Sequence, residues 1–133
     1  MLQLYLVTPE RTIEKDLTIK EVTLPAFNGE LNILQGHAPL MTTLRPGRLV
    51  YKLESGEFKE YFIAWGYCQV TQQKVRILAE TLEEKSAIDS GQVGQALALL
   101  ENRITHEILS DDQRQKIDQQ IEEMRAKSYF INH

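Results

Sequence analysis

The sequence predicts an all-β sandwich followed by a C-terminal α-helical hairpin of two antiparallel helices, on three observations. From Leu2 to about Leu82, short runs rich in Val, Ile, Thr, Tyr and Phe alternate with a period near two, as strands with one buried face do. After Lys85 the apolar residues recur three or four apart, which places them on one face of a helix. No helical pattern is interleaved among the strand-like runs, which favours an antiparallel sandwich or barrel. The division this implies is a β-sandwich over residues 1–84 and a helical hairpin over residues 85–133.

Taken in order, Leu2, Leu4 and Leu6 alternate with Gln3, Tyr5 and Val7 as the first strand. Further strands are predicted over Thr18–Leu24, Leu49–Leu53, Phe58–Ala64, Tyr67–Thr71 and Val75–Ala79. Asn28-Gly29 and Ser55-Gly56 are turn signals, the second closing a hairpin between two of these runs. Cys68 lies alone inside a strand-like run and reads as a small core residue.

The first helix is predicted over Ser90–Leu109, with Val93, Leu97, Leu100, Ile104 and Ile108 as its stripe. The second covers Asp111–Ser128 with Ile117, Ile121 and Met124 inward. Ser110-Asp111-Asp112-Gln113 is a capping box that starts it, so almost no loop separates the two helices and they fold back as an antiparallel pair. At 1.5 Å per residue the rods are roughly 30 and 27 Å long. Their apolar stripes are narrow, and Gly91 and Gly94 each cost about 1 kcal/mol relative to alanine in a helix interior. A thinly packed hairpin on a stable sandwich is a candidate moving part; a static docked hairpin is the other reading of the same pattern.

Composition narrows the function. A hydrophobic fraction of 42% with 26% charged residues belongs to a globular chain, and a formal net charge of -4 gives no electrostatic reason to expect nucleic acid or an anionic membrane surface as partner. No run approaches the roughly 20 apolar residues that span a bilayer. The opening MLQLYLVTPER lacks the pattern of a secretion signal, and a single cysteine excludes an internal disulfide, so a reducing, cytoplasmic-side location is expected.

Chemistry-bearing motifs are sparse. His37, His106 and His133 match no metal spacing, and neither a phosphate-binding Gly-x-x-x-x-Gly-Lys loop nor a Gly-x-Ser-x-Gly elbow is present. Glu83-Glu84 and Glu122-Glu123 read as solvated faces rather than paired general acid and base. No metal, no cofactor and no catalytic residue is expected.

The segment Gly29 to Gly47 stands out. Gly29, Gly36, Pro39, Pro46 and Gly47 punctuate it too densely for a helix or a long strand, while Leu31, Ile33, Leu34, Leu40, Met41 and Leu44 are too apolar for a solvated linker. Such a segment packs under itself or against a partner. His37, between Gly36 and Ala38-Pro39, then either ties the loop through backbone hydrogen bonds or sits at a contact surface.

The run Gly29-Glu30-Leu31-Asn32-Ile33-Leu34-Gln35-Gly36-His37-Ala38-Pro39-Leu40, continuing to Leu44-Arg45-Pro46-Gly47, resembles the signature of the epsilon subunit of the bacterial F-type ATP synthase, called delta in mitochondria. Leu6-Val7-Thr8-Pro9-Glu10-Arg11 is similar to that family's opening strand and turn. Gly66-Tyr67-Cys68-Gln69-Val70 and Val75-Arg76-Ile77-Leu78-Ala79-Glu80 are similar to its last strands. The resemblance covers essentially the whole chain. It implies a non-catalytic central-stalk subunit that turns with gamma, couples it to the c-ring in proton-driven ATP synthesis, and lies on the cytoplasmic face of the bacterial inner membrane, touching the membrane only through the complex. It also implies that Glu30, Gln35 and His37 lie on a loop contacting the c-ring and gamma.

For the hairpin, the resemblance implies a domain that restrains ATP hydrolysis by meeting the alpha and beta subunits, with Arg114, Arg125 and Lys127 as candidate basic contacts to beta. Asp111, Asp112, Asp118, Glu122 and Glu123 dilute that positive charge. Some family members bind ATP there through Ile/Leu-Asp-x-x-Arg-Ala. Ile88-Asp89-Ser90-Gly91-Gln92-Val93 keeps Ile and Asp but has Gln92 for the arginine and Val93 for the alanine, leaving Asp89 and Arg125 as a remnant of such a site. On the residues alone Asp89 is a helix cap. The alternative from another class is a free-standing β-sandwich binding module with a helical interaction hairpin.

Overall fold

The computed structural model describes all residues, 1–133, which divide into two compact units, Met1–Glu84 and Lys85–His133. The first unit holds seven strands: β1 (Leu2–Val7), β2 (Thr12–Ala26), β3 (Gly29–Leu34), β4 (Leu40–Thr43), β5 (Gly47–Leu53), β6 (Phe58–Val70) and β7 (Lys74–Glu83). Their order is β1-β7-β6-β5-β2-β3; β4 pairs with β6, and a further β1–β2 pairing closes the sheet on itself.

Long strands make this closure possible. β2 pairs with β1 through Thr12–Ile19 and with β3 through Glu21–Ala26, while β6 pairs with β5 through Phe58–Ile63 and with β4 through Tyr67–Val70. Each therefore belongs to both layers of the sandwich. Leu2, Leu4 and Leu6 of β1, Val22 and Leu24 of β2, and Val75, Ile77 and Ala79 of β7 point into one shared core, as their alternation predicts.

Three features depart from expectation. β1 and β7 run parallel, where an all-antiparallel sheet was expected; nearly the whole domain separates them in sequence, so no tight turn imposes a direction. The two strands expected over Phe58–Ala64 and Tyr67–Thr71 are one, because Trp65 (φ 61) and Gly66 (φ 109) bend β6 without ending it. The segment after Asn28-Gly29, read as irregular, contains β3 and β4.

Gly66 is required where it stands, since a Cβ there would lie 1.9 Å from the Leu78 carbonyl oxygen. Inside the sandwich the buried Tyr51 hydroxyl donates to the Glu14 carboxylate, which Lys59 also approaches at 3.4 Å. Burial first, and the bond to Glu14 second, raise the Tyr51 pKa above its ordinary value. Burial alone pushes the Cys68 thiol up to about 12.

The second unit opens with a 3₁₀ turn, Lys85–Ala87, followed by α1 (Ser90–His106) and α2 (Asp111–Asn132). Asp89 caps α1 by accepting the Gln92 amide, and Ser110 with Gln113 forms the expected capping box. α1 stops short of Leu109 because Glu107 turns extended, so Ile108 leaves the apolar stripe and is fully exposed. α2 runs past Ser128 to Asn132, with neither glycine nor proline to stop it. Within the hairpin Lys85 lies over the Phe130 ring at 5.0 Å, as antiparallel helices require, and Val93, Ile117, Ile121 and Phe130 are buried.

Candidate functional site

The Gly29–Gly47 segment is held from several sides. β3 pairs with β2 so that Leu31 and Ile33 face inward while Glu30, Asn32 and Leu34 face outward, and Asn32 donates to the Thr23 hydroxyl at 2.7 Å. At the following turn Gly36 adopts φ 82 and its amide donates to the Gln72 carbonyl at 3.3 Å. The His37 amide donates to Leu34 at 3.1 Å, and its Nδ1 donates to the Ala38 carbonyl at 2.8 Å. His37 thus uses its ring on neighbouring backbone and has no carboxylate partner that would make it a general base.

After β4 the chain is stitched again. Leu44 donates to the Gly66 carbonyl at 3.0 Å and Arg45 to the Pro25 carbonyl at 2.9 Å. The Arg45 guanidinium lies 5.8 Å from the Phe27 ring centre and 5.7 Å from that of Trp65. Trp65 holds this position in a left-handed conformation that costs a bulky residue of order 1–3 kcal/mol. Sequence reasoning passed over Phe27 and Trp65 and took Arg45 only as part of the Leu44–Gly47 run; the Trp65-Gly66 interruption of a strand-like run was the available signal.

Alongside polar residues, the segment and the turn before it present large apolar side chains outward. Phe27 is 61% exposed, Met41 65% and Leu34 51%. Between β3 and β4 lies a depression of about 310 Å³ lined by Ala26, Glu30, Leu31, Leu40 and Met41. Glu30, on β3, lines it and is exposed, while Gln35 is exposed and His37 half-buried in the turn that follows β3.

The hairpin residues are less unified. Arg114 and Arg125 are eleven positions apart on α2, hence nearly on one face and roughly 16 Å apart; Lys127 points roughly 200° away from Arg125. Lys127 is only 9% exposed. Arg125 donates to Glu101 on α1, and Asp89 is engaged as the α1 cap. Arg114, Arg125 and Lys127 therefore do not converge on one point in this conformation.

This fold and loop define a class: a β-sandwich bearing a stitched loop that exposes large apolar side chains and followed by a helical hairpin. The family described as ATP synthase, Delta/Epsilon chain, beta-sandwich domain, matches residues 1–85. The chain is 42% identical to the ATP synthase epsilon chain of Bdellovibrio bacteriovorus over 127 residues, covering 95% of this chain and 91% of that one. Identity to the epsilon chain of Sinorhizobium medicae is 32%, over 90% and 87% of the two chains. A chain of the mitochondrial ATP synthase of Euglena gracilis, solved with OSCP, F1 and the c-ring, superposes with a TM-score of 0.87 at 21% identity, covering 98% of this chain and 81% of that one. One from the central stalk and c-ring structure of the Tetrahymena thermophila mitochondrial ATP synthase gives 0.71 at 13%, over 98% and 96%. The chain belongs to the ATP synthase delta/epsilon family, and its fold is that of these two structures.

Proposed function

We propose that the chain is a non-catalytic rotor subunit of the ATP synthase central stalk, its sandwich docking on gamma and the c-ring and its hairpin restraining ATP hydrolysis. The observation that carries the reading is the loop: Phe27, Leu34 and Met41 stand exposed on a segment fixed by backbone bonds at the Gly36, Leu44 and Arg45 amides, as a preformed docking surface requires. Glu30, Gln35 and His37 supply its polar rim, with His37 holding and presenting the loop. The family membership and the bacterial relatives support placement at the cytoplasmic face of the inner membrane, with contact to the membrane through the complex alone.

The sandwich core is drawn entirely from residues before Glu84, so the first unit can be tested by itself. The test adds the full chain, and a version ending at Glu84, to an epsilon-depleted alpha-beta-gamma ATPase while following binding and hydrolysis. Binding by both with slowing by the full chain alone is the expected result. Binding by neither would sink the stalk assignment, and slowing by both would remove the hairpin from the inhibition. In the assembled enzyme, Glu30→Lys and Met41→Asp are expected to weaken ATP-driven ion pumping more than they weaken ATP hydrolysis.

A further inference from the structure

On the outward face of β1, β7 and β6, beside the turn that bonds the Gly36 amide, lies a depression of about 540 Å³ lined by Gln3, Gln69, Thr71, Gln73, Lys74 and Arg76. The registers fix its layout. Arg76 stands beside Tyr5 on one flank and Gln69 on the other, and Gln3 stands beside Lys74. Lys74 and Arg76 are two residues apart on one strand and so rise from the same face about 7 Å apart, with neighbouring strands about 4.8 Å to each side. Val75, Ile77 and Cys68 take the opposite face and are buried, which leaves no freedom for this polar set to turn inward.

The donors here are unusually free. The side chains of Gln3, Gln69, Gln73 and Arg76 make no hydrogen bond or ion pair within the chain. Thr71 donates to the Lys74 carbonyl at 3.3 Å. Lys74 alone among the cations is held, by Asp16 at 3.7 Å, where a left-handed residue (φ 49) at an irregularity of β2 reaches toward β7. Asp16 is the carboxylate partnered to the set, so it orients one cation and leaves the other available. In a chain of net charge -4, this is a local concentration of positive and neutral donors converging on one spot.

We propose that this depression binds a phosphate group: the Arg76 guanidinium grips two of its oxygens, the Lys74 ammonium supplies the second positive charge, and the carboxamides of Gln3 and Gln69 donate from the flanks. The group is inorganic phosphate or the phosphodiester of an anionic lipid headgroup. The turn that closes the depression, Thr71 to Gln73, also accepts the Gly36 amide through Gln72, so an occupied site adjoins the outward loop. This site is independent of the stalk reading and stands or falls without it.

The test titrates inorganic phosphate into the isotopically labelled full chain against chloride at equal ionic strength, reading the amide resonances of Gln73, Lys74 and Arg76 and the Arg76 side-chain NH. Flotation with phosphatidylcholine vesicles, with and without phosphatidylglycerol, runs alongside. Saturable shifts confined to these positions, with affinity reduced about tenfold in Arg76→Gln, are expected for a free phosphate ligand. Binding to the anionic vesicles alone, lost in the same variant, assigns the headgroup instead. Because Arg76 is exposed and unpartnered, the variant folds, which a melting curve checks. Shifts of equal size at Arg48 and Lys59, or insensitivity of both arms to Arg76→Gln, would overturn the proposal.

Discussion

Arg125 Nη2 donates a 3.0 Å hydrogen bond to Glu101 Oε1, tying the second helix of the hairpin to the first. Both side chains are about half exposed, so solvent screening holds the pair to roughly 0.5 kcal/mol or less. That is small for a domain but not for two helices with few buried residues. Glu101→Gln is expected to raise the hydrogen-exchange rate of the central α2 amides about twofold. It is also expected to deepen inhibition of an assembled ATPase by freeing Arg125; unchanged exchange would show the pair to be structurally silent.

Since Arg114 and Arg125 share a face of α2 while Lys127 is turned away and buried, the three are expected to separate on substitution. Arg114→Gln with Arg125→Gln should relieve inhibition and leave the melting temperature of the free chain nearly unchanged. Lys127→Gln should lower that melting temperature instead. Equal effects of all three on ATPase rate, at constant stability, would mean that the inhibiting hairpin differs from the folded one.

Gly66 and Gly56 form a paired test of backbone strain. Both have positive φ, 109 and 93, but a Cβ at Gly56 meets open space and one at Gly66 meets the Leu78 carbonyl. Gly56→Ala is expected to cost about 1–2 kcal/mol and Gly66→Ala at least about 3, enough to threaten the fold of a marginal domain. Urea midpoints measure both, and a Gly66→Ala midpoint no lower than that of Gly56→Ala would contradict the close approach of β6 to β7.

Much of this architecture was legible because its determinants are local. Period-two alternation gave β1 and β7, Ser55-Gly56 gave the β5–β6 hairpin, and Ser110 with Gln113 gave the start of α2. What escaped depended on distant partners. The parallel β1–β7 pair, the continuity of β6 through Trp65, and the pairing of β4 with the distant β6 carry no local mark. The site followed the same rule. Glu30, Gln35 and His37 came from one compact run, whereas Arg45 between Phe27 and Trp65 assembles from three segments.

The core itself carries a pH dependence. Cys68 and Tyr51 both have folded pKa values above their ordinary ones, so each keeps its proton in the folded chain at a pH where the unfolded chain has released it. Their contribution is whole below pH 9 and is lost as pH rises, first through Cys68 between its ordinary value of 9.0 and about 12, then with Tyr51 adding from 10.0 upward. Within its window each group steepens the decline by about 1.4 kcal/mol per pH unit. Tyr51→Phe removes the second part at a cost of about 1 kcal/mol at neutral pH, where the Glu14 carboxylate loses its buried donor and keeps Lys59. Urea midpoints of the wild type, Tyr51→Phe and Cys68→Ala compared at matched pH from 8 to 11 isolate these slopes, because every other titrating group is common to the three chains. The curves should converge as pH rises; parallel curves would mean that neither side chain is as sealed from water as its burial in the sandwich core requires.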